Sequence, residues 1–426
     1  MSERPCLICL EADSAPELRA AAAAAAGRPS PDPRPDDGPA VRQRLIARGP
    51  TPEAVAEDLV AFLAGERARG VSVGEPAEEA PLLAFLFSGQ SEARSGMGAE
   101  IYLQCPGYAE VVDHCSSTLG ETAGTTLVGA IYGASDPKPL EDARLAQPAL
   151  FAMQAGLVAL WAEWGVTPDV VAGHSLGEYA ALHATGALEL EDGIQLVGER
   201  GRLTQSLARD GLMAVLFAEE AAVAKVVAGY EPAASVASIN APEVVVISGE
   251  TDAATEILAE FRARGVSAKP LRISHPFHCR CIDPILDGLE EAAARTPVGA
   301  PRLPFVSTME ARMFVPGESP DPIYWRRHAR EPVRFGETVE GLAGCGCTAF
   351  LEIGPHSSLT GLGERREREK ETWATSLRRT GHDRRVLAEA AGKLWLAGVG
   401  VDLGAMAEGC GHELLKTSFS ADRNGG

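Results

Sequence analysis

Three short, almost uninterrupted apolar runs predict the strands of a buried sheet. They lie at 82–87, 169–173 and 350–354. Parallel strands that are covered by helices on both faces have this continuous apolar character, whereas half-exposed strands alternate between apolar and polar residues. Helix-forming segments follow the first two runs, one over 147–161 and one from Leu176 onwards. The pattern therefore predicts a large α/β subdomain around a parallel sheet.

Residues 212–274 have a different rhythm, because short apolar runs alternate there with two helical segments. The predicted order is strand, helix, strand, strand, helix, strand, which is the ferredoxin-like split unit. We predict a small ferredoxin-like subdomain that is inserted into the large subdomain formed by 80–211 and 275–365. Its predicted strands lie over 213–218, 236–239, 244–248 and 269–273, and its predicted helices over 219–228 and 252–264.

We predict linker segments on both sides of these subdomains. The pattern of residues 1–79 predicts a small α/β module, and that of residues 366–426 predicts a C-terminal linker that packs on this module. In the first flank Ser14 and Thr51 precede helical segments and have side chains that suit N-caps. The predicted elements are a strand over 5–10, helices over 15–26, 52–69 and 384–397, and a proline-rich loop over 29–39.

Composition and charge argue against several classes of function. The 426 residues are 45% hydrophobic, enough for a globular core, and carry a net charge of −20. This charge argues against nucleic-acid binding, because phosphate contacts need clustered Lys and Arg. Residues 1–10 lack the pattern of a secretory signal, and the poly-Ala stretch at 20–26 is too short to span a bilayer. We therefore expect a cytoplasmic protein without a membrane partner.

The nine cysteines are an odd number in a chain far larger than a disulfide-stapled module. Reduced thiols are therefore the expectation. Two Cys-x-Cys pairs raise the alternative of a metal site, but zinc ligands usually have a wider spacing. We expect no metal.

The string Gly173-His174-Ser175-Leu176-Gly177 is the strongest chemical signal. A serine at a sharp strand-to-helix turn, with glycines two residues away on either side, is the nucleophile elbow of α/β-hydrolase-like folds. Here an apolar run precedes the string and a helix-forming run follows it. The helix would aim its first N–H groups at the serine, and the N–H of Leu176 is a natural oxyanion donor. The alternative is a purely structural turn.

A serine nucleophile needs a base, and nine histidines compete for that role. Sequence distance alone does not choose among them. The segment from His275 to His278 stands out because it follows a predicted strand and begins a turn.

Eight motifs occur in a fixed order along the chain: Phe87-Ser-Gly-Gln90, Gln147-Pro-Ala-Leu150, Gly173-His-Ser-Leu-Gly-Glu178, Arg200-Gly201, Asn240-Ala-Pro242, His275-Pro-Phe-His278, Arg330-Glu-Pro-Val-Arg-Phe335 and Leu351-Glu-Ile-Gly-Pro355. In order and spacing they resemble the acyltransferase domain of modular and iterative polyketide synthases. They also resemble the related malonyl-CoA:acyl-carrier-protein transacylases. The resemblance covers about 80–365 of the chain.

The resemblance implies a catalytic dyad rather than a triad. Ser175 matches the nucleophile of the family and His278 matches its base, which a backbone carbonyl, expected at Arg334, would hold in place. Gln90 matches the position whose backbone N–H joins that of Leu176 in the oxyanion hole. The resemblance implies no permanently bound cofactor, since a coenzyme A thioester is the substrate.

The resemblance also implies a set of substrate-binding residues. Arg200 matches an arginine that pairs with the free carboxylate of a dicarboxylic acyl group, for which a planar guanidinium suits bidentate capture. The alternative for Arg200 is a surface salt bridge. Asn240 matches a residue that lines the pocket, and His174 either contacts substrate or has a structural hydrogen bond. Phe277 matches the malonyl-specific members, in which a ring leaves no room for a branch methyl.

One departure from the family pattern follows the first motif. Ser91, Glu92 and Ala93 stand where the family usually has Gly-Ser-Gln. The oxyanion donor at Gln90 can survive this change because it is a backbone group. A glutamate near an anionic substrate would repel it unless the side chain points away.

The function implied by the resemblance is transfer of a malonyl or related dicarboxylic acyl group from coenzyme A to an acyl carrier protein. It would proceed through an acyl-serine, as part of polyketide biosynthesis and antibiotic production. The resemblance implies malonyl-CoA as the preferred acyl-CoA, and a ketosynthase or other synthase modules as further partners. Two alternatives stay open: an acyl-carrier-protein acyl hydrolase, and a non-catalytic docking relative. The sequence leaves open whether the domain acts free-standing or within a synthase.

Overall fold

The computed structural model describes residues 5–28, 42–90, 93–133, 140–271, 275–366, 368 and 370–415, so the predicted loop at 29–39 lies outside the described residues. The strands are β1 (Cys6–Ala12), β2 (Gln43–Gly49), β3 (Val71–Gly74), β4 (Leu82–Phe87), β5 (Val170–Gly173), β6 (Leu212–Leu216), β7 (Ala234–Ala241), β8 (Val244–Gly249), β9 (Ala268–Pro270), β10 (Phe305–Ser307), β11 (Arg312–Met313), β12 (Cys347–Ile353), β13 (Thr372–Thr375) and β14 (Glu413–Leu414).

The helices are α1 (Ala15–Ala25), α2 (Pro52–Ala64), α3 (Ala99–Gln104), α4 (Pro106–Leu119), α5 (Leu127–Tyr132), α6 (Ala143–Glu163), α7 (Gly177–Ala184), α8 (Leu190–Gln205), α9 (Glu220–Val227), α10 (Thr251–Ala263), α11 (Leu286–Arg295), α12 (Pro322–Arg330), α13 (Phe335–Gly344), α14 (Ser358–Glu364), α15 (Asp383–Ala397) and α16 (Leu403–Gly409).

The three apolar runs become neighbouring strands at the centre of one sheet. Its strand order is β11-β10-β5-β4-β12-β13, and the pairs from β10 to β13 are all parallel. The β4 side chains from Leu83 to Phe87 are each at most 1% exposed, which explains why this strand has no polar positions. The predicted parallel α/β sheet is confirmed, and β11 adds one antiparallel strand at its edge.

The inserted segment forms a second, four-stranded sheet in the order β7-β8-β6-β9, with antiparallel pairing throughout. Helices α9 and α10 pack their apolar faces on it, through residues such as Val223, Ile257 and Phe261. The element order matches the predicted ferredoxin-like unit. The last strand is shorter than predicted, and 272–274 lie outside the described residues.

The chain divides into two compact units, one of Met1–Pro81, Trp161–Val166 and Arg384–Gly426, the other of Leu82–Leu160 and Thr167–Asp383. The predicted start of the C-terminal linker at 366 is too early, because β13 pairs in parallel with β12 and so belongs to the catalytic sheet. In the first unit β14 pairs with β1.

Sequence patterns in the first unit are weaker guides. The pattern predicts no strand over β2 and β3, because Arg44 and Arg48 interrupt the apolar residues of β2. The second predicted helix ends at Ala64 rather than at 69, because Gly65 adopts a left-handed conformation with φ of 77° and caps the helix. Ser14 and Thr51 both cap their helices through their side chains, as predicted.

Helix α6 alone, among the described residues, is long and apolar enough to cross a membrane. Within its most apolar stretch of 18 residues, 83% are buried inside the protein. Its apolar character is therefore explained by its position in the core.

Candidate active site

Ser175 lies in the sharp turn that joins β5 to α7. Its φ of 51° is in the left-handed region, which is strained for a residue with a side chain. The flanking glycines make this turn feasible. A Cβ on Gly173 would lie 2.2 Å from the Glu178 nitrogen, and one on Gly177 would lie 2.3 Å from the Phe87 oxygen. The turn thus places Ser175 at the carboxyl end of the parallel strands and at the start of a helix.

His278 is hydrogen-bonded to the serine, with 2.8 Å between His278 Nε2 and Ser175 Oγ. On the other side of the ring, His278 Nδ1 lies 2.8 Å from the backbone oxygen of Glu331. A carbonyl can only accept, so Nδ1 carries the proton and Nε2 is left to accept the serine hydroxyl. The arrangement is a Ser–His dyad whose base is oriented by the backbone.

The orienting carbonyl is not the one that the family pattern suggested. The resemblance implies Arg334 for this role, but the Arg334 carbonyl accepts bonds from the backbone and the hydroxyl of Thr338, each at 3.0 Å, in the first turn of α13. Glu331 follows the end of α12, and its carbonyl is free to face the histidine. The position is therefore corrected to Glu331, because a helix start uses the carbonyl of Arg334.

Burial lowers the pKa of His278 from an ordinary 6.5 to about 3. The bond to the Glu331 carbonyl opposes this shift, while the positive charge of Arg200 adds to it. At neutral pH a histidine with such a low pKa is neutral. The neutral imidazole is the form that can take a proton.

The predicted oxyanion donors lie where the first turn of α7 meets the end of β4. The Leu176 N–H has no acceptor among the described residues, as expected at a helix N-terminus. Gln90 follows Gly89, and a Cβ on Gly89 would lie 3.0 Å from the His174 oxygen, so this loop passes close to the elbow. The buried Gln154 amide donates to the Ser88 oxygen at 2.9 Å and thereby fixes the end of β4.

Arg200 is buried beside the dyad without a carboxylate partner. Its side chain is 3% exposed, and Arg200 Nη1 donates to Gln147 Oε1 at 2.6 Å. Among the described residues, Arg200 Nε has no hydrogen-bond partner, and no Asp or Glu pairs with the guanidinium. The guanidinium carbon lies 5.6 Å from the ring centre of Phe277 and 5.8 Å from that of Tyr179. We call Gln147, Tyr179, Arg200 and Phe277 the arginine pocket. Because Arg200 is buried among them, the alternative of a surface salt bridge is excluded.

His174 and Asn240 contact each other. His174 Nε2 lies 2.8 Å from Asn240 Oδ1, which joins the turn before the nucleophile to strand β7 of the small subdomain. This bond matches the structural alternative for His174. Phe277 is 9% exposed, and its backbone N–H faces the sulfur of Met213 at 3.5 Å.

Residues behind the elbow form a polar cluster that sequence reasoning missed. Glu178 is fully buried and accepts from the Thr308 backbone and hydroxyl, each at 2.6 Å, and from the Tyr324 hydroxyl. His328 Nε2 lies 3.5 Å from the same carboxylate. We call Glu178, Thr308, Tyr324 and His328 the glutamate cluster. Burial raises the pKa of Glu178 to about 7, although the bonds from Thr308 and Tyr324 oppose the shift.

The departure from the family pattern is visible only in part. Ser91 and Glu92 lie outside the described residues. Ala93 is 7% exposed, and its N–H donates to the Gln90 oxygen at 3.0 Å. The direction of the glutamate side chain therefore stays a prediction.

Comparison with known proteins assigns the fold and the site to a family. The family model of the acyl transferase domain matches residues 84–401. A polyketide synthase of phenolphthiocerol synthesis from Mycobacterium tuberculosis, whose name includes the qualifier inactive, is 38% identical over 371 residues. The match covers 86% of this chain but 22% of that protein, so the chain spans about a fifth of the relative's length.

Two solved structures share the architecture. The acyltransferase domain from the second module of the salinomycin polyketide synthase is 35% identical, with a TM-score of 0.79 and coverage of 85% of each chain. The acyltransferase domain of SpnD, in complex with 2-(pent-4-yn-1-yl)malonyl, is 30% identical, with a TM-score of 0.80 and coverage of 95% of this chain and 98% of that one. The chain therefore belongs to the acyl transferase domain family and is an acyltransferase domain of the polyketide synthase type.

Proposed function

We propose that this domain transfers a malonyl group from coenzyme A to the phosphopantetheine thiol of an acyl carrier protein through an acyl-Ser175 intermediate. One observation carries the proposal: Arg200 is buried next to the dyad, and no carboxylate among the described residues balances its charge. Burying an unpaired charge is costly, so such a group is retained where a ligand supplies the opposite charge. A malonyl thioester has a free carboxylate at one end and the reacting carbonyl at the other.

The dyad supplies both halves of the exchange. Ser175 Oγ attacks the thioester carbonyl while His278 Nε2 takes its proton, and the same proton passes to the departing thiolate of coenzyme A. In the second half the carrier thiol gives its proton to His278, and its sulfur attacks the acyl ester. Ser175 leaves with the proton restored to its oxygen. In both halves the N–H groups of Gln90 and Leu176 would stabilise the oxyanion.

Two findings support a dicarboxylic acyl group. The SpnD acyltransferase structure contains a ligand of the malonyl class, at 30% identity to this chain. The Arg200 guanidinium carbon also lies 5.6 Å from the ring centre of Phe277, so the ring beside the base and the group that would hold the carboxylate are neighbours. We propose the acyl carrier protein and neighbouring synthase modules as partners, a cytoplasmic location, and no permanently bound cofactor.

The test is covalent loading, measured by mass spectrometry after incubation with malonyl-CoA, methylmalonyl-CoA and acetyl-CoA. We expect a malonyl adduct on Ser175, its transfer to a phosphopantetheinylated carrier protein, and no adduct in Ser175→Ala. Release as free malonate in the presence of carrier protein would instead identify an editing hydrolase. A folded protein that forms no adduct with any thioester, and that a fluorophosphonate does not label at Ser175, would identify a non-catalytic relative.

A further inference from the structure

Gln147 is the side chain that holds the guanidinium of Arg200. It is 0% exposed and lies on α6, and its amide makes two bonds to α8. Gln147 Oε1 accepts from Arg200 Nη1 at 2.6 Å, and Gln147 Nε2 donates to Thr204 Oγ1 at 3.2 Å. The first bond fixes which end of the amide faces the arginine, because a guanidinium only donates and therefore requires the amide oxygen, which leaves the NH₂ for the Thr204 hydroxyl.

The backbones of the two helices meet closely at this point. A Cβ on Gly201 would lie 2.4 Å from the Ala143 oxygen, so this position next to Arg200 admits glycine alone without a shift. Gln205 Oε1 accepts from the Ala143 N–H at 2.9 Å and closes the contact at the start of α6. Gln147 is therefore held on a rigid helix pair.

The chemistry of an amide differs from that of a carboxylate in one respect that matters here. Both can accept a bond from the guanidinium, but a glutamate would also neutralise it. With an amide as partner, Arg200 is held in one place and keeps its full charge for a ligand. Within the described part of the chain Arg200 Nε has no partner, so the hydrogen-bonding capacity of the guanidinium is not used up there.

We propose that Gln147 is a positioning residue that determines selectivity for dicarboxylic over monocarboxylic acyl groups, by fixing Arg200 without neutralising it. This inference rests on the proposed function of the site. It requires that the acidic isostere of Gln147 competes with the free carboxylate of the substrate for the same guanidinium.

The test compares the wild-type domain with Gln147→Glu and Gln147→Met. The readout is the ratio of kcat/KM for malonyl-CoA to that for acetyl-CoA in the acylation half-reaction. We expect Gln147→Glu to lower this ratio by about 10- to 100-fold, mainly through a higher KM for malonyl-CoA, because a charge-assisted bond is lost to an internal competitor. Gln147→Met keeps the volume and the charge of Arg200 but removes the anchor, so it should lower the ratio less.

Gln205→Glu is the matched control. It introduces the same charge at the same helix pair, on a side chain that bonds the Ala143 backbone and not Arg200. The ratio in this control should stay within about twofold of wild type, since Gln205 is only half-buried and water screens a charge placed there. Thermal unfolding and fluorophosphonate labelling of Ser175 establish that each variant is folded.

The outcomes separate the two proposals. A wild-type domain that loads acetyl as readily as malonyl overturns the proposed function and this inference together. A wild-type preference for malonyl that Gln147→Glu leaves intact overturns the inference alone, as does an equal loss with both thioesters, which would mean a merely structural role. If Gln147→Glu does not fold, Gln147→Met decides, and an unchanged ratio in that variant overturns the inference.

Discussion

Two buried charged side chains near the nucleophile have opposite surroundings. Glu178, in the glutamate cluster, accepts bonds from Thr308 and Tyr324, whereas Arg200, in the arginine pocket, donates to the Gln147 amide and has no counter-charge among the described residues. Both are at most 3% exposed. Burial alone therefore does not distinguish a structural charge from a binding one, but the presence or absence of internal partners does.

The difference has a consequence for stability and for function. Donors aimed at Glu178 would be left without an acceptor if the carboxylate were removed, so the glutamate cluster should stabilise the turn that carries Ser175. The arginine pocket should contribute little to folding, because its charge is unbalanced until a ligand binds. Each of the following experiments tests one side of this contrast.

The largest effect is expected for Arg200→Ala. Loss of a charge-assisted bidentate contact in a buried site costs about 2–4 kcal/mol, so malonyl loading should fall about 30- to 1000-fold while acetyl loading is spared. The ratio of the two acylation rates measures this. Arg202→Ala serves as a control, since Arg202 is an exposed residue of the same helix that pairs with Glu199. An unchanged malonyl-to-acetyl ratio in Arg200→Ala would remove the contrast.

Glu178→Leu should lower the free energy of unfolding by about 3 kcal/mol, because buried donors lose their acceptor. Glu178→Gln keeps an acceptor for Thr308 and should lower the free energy of unfolding much less. Arg200→Met should also change the free energy of unfolding less than Glu178→Leu does. Urea unfolding followed by fluorescence gives all three values. Equal stability of the Leu and Gln variants would show that the hydrogen bonds to Glu178 do not stabilise the fold.

The pH dependence of stability sharpens the same point. The pKa of Glu178 is raised from 4.5 to about 7 by burial, so the folded state favours the protonated carboxyl. A raised folded-state pKa contributes stability that is fully present below pH 4.5 and is lost as the pH rises through about 7. Relative to Glu178→Gln, the wild type should therefore lose on the order of 3 kcal/mol across this range. Parallel pH curves for the two proteins would contradict the assignment.

The smallest effect concerns the size of the acyl group that the arginine pocket admits. Phe277 lies against Arg200, and its ring should disfavour a methyl branch by about 1–3 kcal/mol, or roughly 10- to 200-fold. Competition between malonyl-CoA and methylmalonyl-CoA at equal concentration, with the mass of acyl-Ser175 as readout, measures this preference. Phe277→Ala should reduce the preference for malonyl-CoA over methylmalonyl-CoA. Predominant methylmalonyl loading by the wild type would show that Phe277 does not limit the pocket.

Local patterns in the sequence predicted the elements and the turn that carry the chemistry. The elbow needs glycines at fixed distances from Ser175, and this requirement is met within five consecutive residues from Gly173 to Gly177. Strands that are buried on both faces favour apolar residues at every position, so the run of consecutive apolar residues in β4 was enough to predict this strand. Strand β2 was not, because its face with Arg44 and Arg48 breaks that pattern.

The sequence by itself determined which residues could act as nucleophile, base and carboxylate ligand, through motifs whose order matches one family. The tertiary structure alone decided how these residues are held. Glu331 rather than Arg334 orients the base, and Gln147 rather than a carboxylate contacts Arg200. Thr308 and Tyr324 reach Glu178 from 130 and 146 residues away. Partners at such distances are set by which strands and helices pack together, and no local pattern encodes them.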